Sequence, residues 1–195
     1  MKKLISLILV SMLSFSLVAC GGDSPSAVVD KFYSALKKGN INEISELVNK
    51  DISTKEKTDK KLTAEQEEAL KKVLSGTEIK ISNTEEKDNE AKVTATVTAV
   101  DAGDIMGNYM VTAIQKSLAA SMSGKSDKEL QQDLEKDLIN TVNKGDLKKI
   151  TQDINIELIK QDKKWVINDP ESVLLKTFNL EKFSKFIKEF SDKEK

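Results

Sequence analysis

Histidine is absent, cysteine occurs once, tryptophan once, proline twice, and all 31 basic residues of this 195-residue chain are lysine. Each shortage removes a class of chemistry. Without imidazole there is no histidine general base, no His-ligated metal and no Ser-His or Cys-His nucleophile. One cysteine forms no disulfide within the chain and no cysteine-rich zinc site. The 31 lysines face 32 acids, and the pI is about 5.8, so there is no electrostatic footprint for nucleic acid. No cofactor and no metal is expected.

What is present begins at the N-terminus. Met1-Lys2-Lys3 is basic, and Leu4 to Ala19 carries no charge. That run is shorter than the roughly 20 residues a membrane-crossing helix needs, and it has the form of an export signal. Leu17-Val18-Ala19-Cys20-Gly21 resembles the lipobox of bacterial lipoproteins. The resemblance implies a diacylglyceryl group on the Cys20 sulfur and peptidase cleavage before Cys20, with Leu17, Val18, Ala19 and Gly21 as the recognition sequence. The implied location is the extracytoplasmic face of the cell membrane. Lysine without arginine, beside abundant Ile and Asn, fits an AT-rich, low-GC Gram-positive source. Removing 19 residues of 195 leaves 176, enough for one domain with a real core.

The expected layout is a signal over 1–19, the lipidated Cys20 and a short tether over 20–25, one α+β domain over 26–190, and a frayed tail over 191–195. Ser24-Pro25 reads as an N-cap and first-turn proline. Val28, Val29, Phe32, Tyr33 and Leu36 fall on one helical face, and Gly39 stops that helix. Ile41, Ile44, Leu47 and Val48 suggest a second short helix. The stretch 50–61 reads as a solvated loop, and Thr63 to Gln66 as a capping box opening a third helix.

The period then becomes two. Ile79 and Ile81 lie in one strand, and Val93 to Ala99 alternate in the next, with 86–90 as the connection. Met106, Met110, Ala113, Ile114, Ser117 and Leu118 share a helical face within 103–123, which is expected to pack. Leu130, Leu134, Leu138, Ile139 and Val142 form another stripe that ends at Gly145. Ile154, Ile156 and Leu158 alternate, Gln161 to Lys164 turns, and Trp165 to Ile167 returns. Asp169-Pro170 starts a helix, and Asn179 is expected to cap a last one bearing Phe183, Phe186, Ile187 and Phe190. The predicted fold is therefore α+β. N-terminal helices pack on a curved antiparallel sheet of about four strands, with a helical insertion over about 103–145 and a C-terminal helix.

Ala27 to Asn40 (AVVDKFYSALKKGN) and Lys164 to Asp169 (KWVIND) resemble the first helix and closing strand of bacterial lipoproteins with a nuclear-transport-factor-2-like (cystatin-like) domain of unknown function. The resemblance covers about a sixth of the chain, and 103–145 departs from a minimal version of that fold. It implies a curved sheet over a long first helix with an apolar cleft between them. It implies no activity. Tyr33, Met106, Tyr109 and Trp165 are the candidate cleft lining, though core packing uses the same residue types.

Ala119 to Ser126 (AASMSGKS) nearly spells a phosphate-binding loop, but Ala119 replaces its first glycine and it follows a helix, so a helix–helix turn is expected. Glu85, Glu86, Asp88 and Glu90 lack the alternating acids of a calcium loop. The functional expectation is a non-enzymatic, lipid-anchored module that binds a small ligand or an envelope protein. Its alternatives are an enzyme with Asp101 or Asp104 as base, and an interaction or immunity protein that docks through 103–145.

Overall fold

A computed structural model describes residues 22–49 and 62–192. The lipobox and the loop expected over 50–61 lie outside the described residues, as does the end of the tail. Seven helices and four strands are seen in this part of the chain. They are α1 (Pro25–Lys38), α2 (Ile41–Glu46), α3 (Ala64–Ser75), β1 (Glu78–Lys87), β2 (Glu90–Val100), α4 (Ala102–Ser123), α5 (Asp127–Lys144), β3 (Lys149–Gln161), β4 (Lys164–Ile167), α6 (Pro170–Thr177) and α7 (Glu181–Asp192).

α1 starts where its capping signals say it should. Ser24 Oγ accepts from the Ala27 N–H at 3.3 Å, and Pro25 fills the first turn, where its missing N–H is no loss. Gly39 ends the helix at φ 67°, with its N–H turned back to the Ala35 and Leu36 carbonyls. Between these caps Val28, Val29, Phe32, Tyr33 and Leu36 are buried on one face. Phe32 is fully enclosed, so its side chain contributes roughly 1.5–3 kcal/mol by leaving water.

The sheet has order β1-β2-β3-β4, antiparallel throughout, with a register shift between Ile81 and Asn83. Val93, Ala95, Val97 and Ala99 of β2, and Ile154, Ile156 and Leu158 of β3, point into the main core with Trp165, Ile167, Val173 and Phe178. The opposite face is hydrophilic. Thr94 donates to Asn155 at 3.0 Å, Thr96 donates to Asp153 at 2.6 Å, and the Thr98 and Thr151 hydroxyls pair at 2.8 Å. This alternation makes one face a core and leaves the other wet.

The first hairpin is tighter than expected, and the second turns where expected. The turn between β1 and β2 is only Asp88-Asn89, so the connection predicted over 86–90 is mostly strand. Between β3 and β4, Asp162 and Lys163 both take positive φ (49° and 66°), which matches the twist of the flanking strands. At the β4 edge, the Asn49 N–H donates to the Ile167 carbonyl and the Ile167 N–H to Leu47, each at 2.9 Å. The chain after α2 therefore covers a short piece of edge that would otherwise be unpaired.

β2 and β3 are neighbours although the α4–α5 hairpin lies between them in sequence. The base of this arm is packed by Ala69, Val100, Ile105 and Val142, with Met106 and Leu138 against them. Ser126 and Glu129 form a capping box at the start of α5, a Lys116–Asp137 ion pair ties the two helices, and a Lys125–Asp133 pair ties the turn between them to α5. Two expectations need correction here. Ile114, Ser117 and Leu118, assigned to a packed face, are exposed, because the arm extends past the elements that bury its base and no described element overlies that stripe. Asn179 does not cap the last helix. It sits in the left-handed region at φ 56° with its side chain committed elsewhere, and Ser184 bonds back to the Leu180 carbonyl instead.

Candidate functional site

The four residues proposed to line one cleft are divided between two places. Tyr33 and Trp165 belong to the main core. Met106 and Tyr109 lie on the arm.

The Tyr33 hydroxyl meets Thr177 Oγ1 at 2.8 Å, both buried, and its ring stands edge-on to Phe32 at 5.4 Å between centroids. Burial pushes the phenol up to about 12, partly offset by the Thr177 hydrogen bond. Trp165 is covered by the Lys160 ammonium, 4.5 Å from the ring centroid. Tyr33 therefore closes the core, whereas Trp165 stands at its edge and also lines an open cavity of about 290 Å³ with Val28 and Leu47.

Met106 and Tyr109 reach two adjoining cavities in the arm. One, of about 190 Å³, lies between α3, α4 and α5 and is almost wholly apolar, with Ala69, Leu70, Val73, Met106 and Ile139 in its wall. The other, of about 350 Å³, lies between α4 and α5 and mixes Ile105, Tyr109 and Leu138 with Asn108, Thr112 and Asp137. Ile105 and Leu138 line both. An open groove of this kind suits an amphipathic ligand or a partner side chain, with apolar contact on one side and amide or hydroxyl groups on the other.

Asp101 is buried at 5% exposure and caps α4. Its Oδ1 accepts from the Asp104 N–H at 3.0 Å and from Asn179 Nδ2 at 2.9 Å. Asp104 is exposed and faces the Lys148 ammonium at 3.4 Å. Neither carboxylate lines either arm cavity. The acids Glu85, Glu86, Asp88 and Glu90 spread along the β1–β2 hairpin, and Glu86 pairs with Lys160 at 3.6 Å. No group of three metal-holding side chains occurs among the described residues. At Ala119–Ser126, α4 runs on to Ser123, Gly124 ends it at φ 71°, and Ser126 opens α5, giving the expected helix–helix turn.

The sequence offered 103–145 as a docking stretch without singling out its outward side. Val111, Ile114, Leu118 and Met122 of α4 are 56%, 65%, 65% and 83% exposed. The signal was available, since α4 has only Asp104 and Lys116 as charges in its 22 residues. A helix apolar all round cannot be oriented from periodicity alone.

Fold and surfaces together define an α+β protein with one helices-on-sheet domain and a helical arm carrying a groove. No described helix is long and apolar enough to cross a membrane. No protein family matches the chain, and neither does any curated protein. Among solved structures it is similar to ycdA from Bacillus subtilis, described as a candidate lipoprotein, with 17% identity and a TM-score of 0.40. That similarity covers 80% of this chain and 47% of the other, so the chain spans about half the length of its match.

Proposed function

We propose that the protein is a lipid-anchored, extracytoplasmic, non-enzymatic module that binds a small ligand or an envelope protein. The observation that carries this is the spacing between the lipobox and the fold. Cys20 stands five residues before Pro25, where α1 begins behind its Ser24 cap. Cleavage before Cys20 leaves a linker whose extended length is at most about 14–18 Å, so the folded body rides close to the bilayer. Two acyl chains make such an anchor durable where one does not. Gly22 lies beside the β3–β4 turn, near the Lys163 carbonyl, so that turn belongs to the anchored end.

The non-enzymatic part of the reading is supported by the state of the two candidate bases. Asp101 is spent on capping α4 and holding Asn179, and Asp104 pairs with Lys148. A nuclear-transport-factor-2-like classification fits the helices-on-one-face layout. The arm groove is the place for a ligand in this reading, not the core between sheet and α1, which Phe32, Tyr33 and Trp165 fill.

The test is metabolic labelling with a fatty acid in cells that express the full chain. Label entering the wild type and absent from Cys20→Ala is the expected result. Equal labelling of the two defeats the anchor.

A further inference from the structure

We infer that α4 is a self-association surface through which two copies of this chain pair antiparallel about a two-fold axis. The inference rests on the anchored reading above, because that reading removes the apolar run 1–19 as a possible cover. The stripe is Val111, Ile114, Leu118 and Met122, with spacings of three, four and four, so all four fall on one side of α4. That side is opposite Ile105 and Ala120, the helix's buried residues.

The order of the stripe is self-complementary. Turned end for end, it sets Val111 against Met122 of the second copy and Ile114 against Leu118, with the same contacts repeated across the axis. This is the requirement for an isologous interface. Charge permits it as well. Asn108, Gln115, Ser117 and Ser121 flank the stripe, and Lys116 is turned to Asp137 of α5, so no like charges meet across the axis. The same absence of flanking lysines argues against an anionic bilayer as the occupant, because interfacial helices pair their apolar face with basic residues.

The chain itself has little else to offer the stripe. Residues 50–61 contain one large apolar side chain, Ile52, among mostly charged neighbours, and Lys193-Glu194-Lys195 contains none. The exposed parts of the four side chains give roughly 500 Å² a copy and at most about 1,000 Å² for a pair, below the roughly 1,200 Å² of stable interfaces and in the range of weak, transient ones. The dimer is therefore concentration-dependent, and confinement of both copies to one membrane raises the effective concentration it needs.

The experiment is sedimentation of the full chain, recovered from its host in nonionic-detergent micelles, across a wide concentration range. The wild type is expected to pass from monomer to dimer. Leu118→Lys and Ile114→Lys are each expected to weaken association by about tenfold or more, with unchanged circular dichroism and melting, since both positions are exposed and lysine is a good helix former. A mixture of Ile114→Lys with Leu118→Glu should recover the dimer, because the antiparallel register sets the new lysine against the new glutamate.

A wild type monomeric throughout overturns the proposal, as does a Leu118→Lys dimer of unchanged strength or a mixture that stays monomeric. If Cys20→Ala protein freed of its leader binds phosphatidylglycerol vesicles and Leu118→Lys abolishes that binding, the stripe is a membrane face and the dimer falls. Intact mass separates the two readings. A cleaved, lipidated monomer sinks the dimer alone. A retained leader sinks the anchor, while a dimer that Leu118→Lys disrupts still stands.

Discussion

Asn179 donates from Nδ2 to Asp101 Oδ1 at 2.9 Å, joining the end of β2 to the turn between α6 and α7. The contact is made tight by Gly103. Its N–H donates to the Phe178 carbonyl at 3.2 Å, and a Cβ placed on it would meet the Asn179 carbonyl oxygen at 2.2 Å. Backbone atoms cannot swing aside as a flexible side chain can. Gly103→Ala should therefore destabilise the fold by more than about 2 kcal/mol in urea melts.

Asn179 itself separates two effects. Its φ of 56° disfavours a Cβ, and its side chain bonds a buried carboxylate. Asn179→Ala loses both advantages, for about 2–3 kcal/mol, whereas Asn179→Gly loses the hydrogen bond but gains backbone freedom and costs about 1 kcal/mol less. Equal midpoints for the two variants would show that backbone strain contributes nothing here.

The buried Tyr33 phenol gives a pH signature. Its folded-state value of about 12 stands above the ordinary 10, so its contribution is intact below pH 10 and is lost as pH rises through 12. Two pH units correspond to about 3 kcal/mol at full ionisation. Tyr33→Phe removes this loss but leaves Thr177 Oγ1 without its partner, a cost of about 1 kcal/mol. The variant should thus be less stable than wild type at pH 9 and more stable near pH 12. Urea midpoints at the two pH values check the crossing, and parallel curves would place the phenol in water.

Elements with a single apolar face and explicit caps were legible in the sequence. α1 has Ser24, Pro25 and Gly39 around one stripe, and β2 alternates from Ala91 to Ala99, so both follow from local pattern. The resemblance over Leu17 to Gly21 is carried by consecutive residues and needs no fold to be read. The proposed cleft was another matter. Tyr33, Trp165, Met106 and Tyr109 have the same preference for apolar surroundings, and only the long-range packing of α1 on the sheet, and of α5 on α3, assigns them to core or groove. The outward stripe of α4 was obscured for the same reason. With apolar residues all round the helix, burial of one side is decided by which side meets Ala69 and Val142. Asn179 looked like a cap because asparagine is a good one, and a partner 78 residues away in sequence claimed it.

The arm should lose order in acid before the sheet does. Ser126 bonds through its hydroxyl and backbone hold the Glu129 carboxyl below its usual range, and the Lys125 ammonium does the same for Asp133. A depressed folded value means the contribution is present above the ordinary carboxylate range and disappears as pH falls through the lowered value. These groups are exposed, so each adds little and salt screens it further. Their placement still matters, because both carboxylates act in the first two turns of α5, where that helix meets α4 across a short turn. Lys125, raised by the Asp133 hydrogen bond, remains charged throughout the acid range and loses only its partner. Ser126→Ala removes the reciprocal cap and should cost about 1 kcal/mol, mimicking part of the acid effect at neutral pH. Hydrogen exchange measures this directly. Amides of 127–135 should exchange faster in Ser126→Ala, and again in the wild type once the pH drops below about 4. The Val93, Ala95 and Val97 amides, central in the sheet, should keep their protection. Loss of protection in both regions together would mean that arm and sheet unfold as one unit, and that the packing of Ala69, Val100, Ile105 and Val142 couples them more strongly than the caps hold the arm.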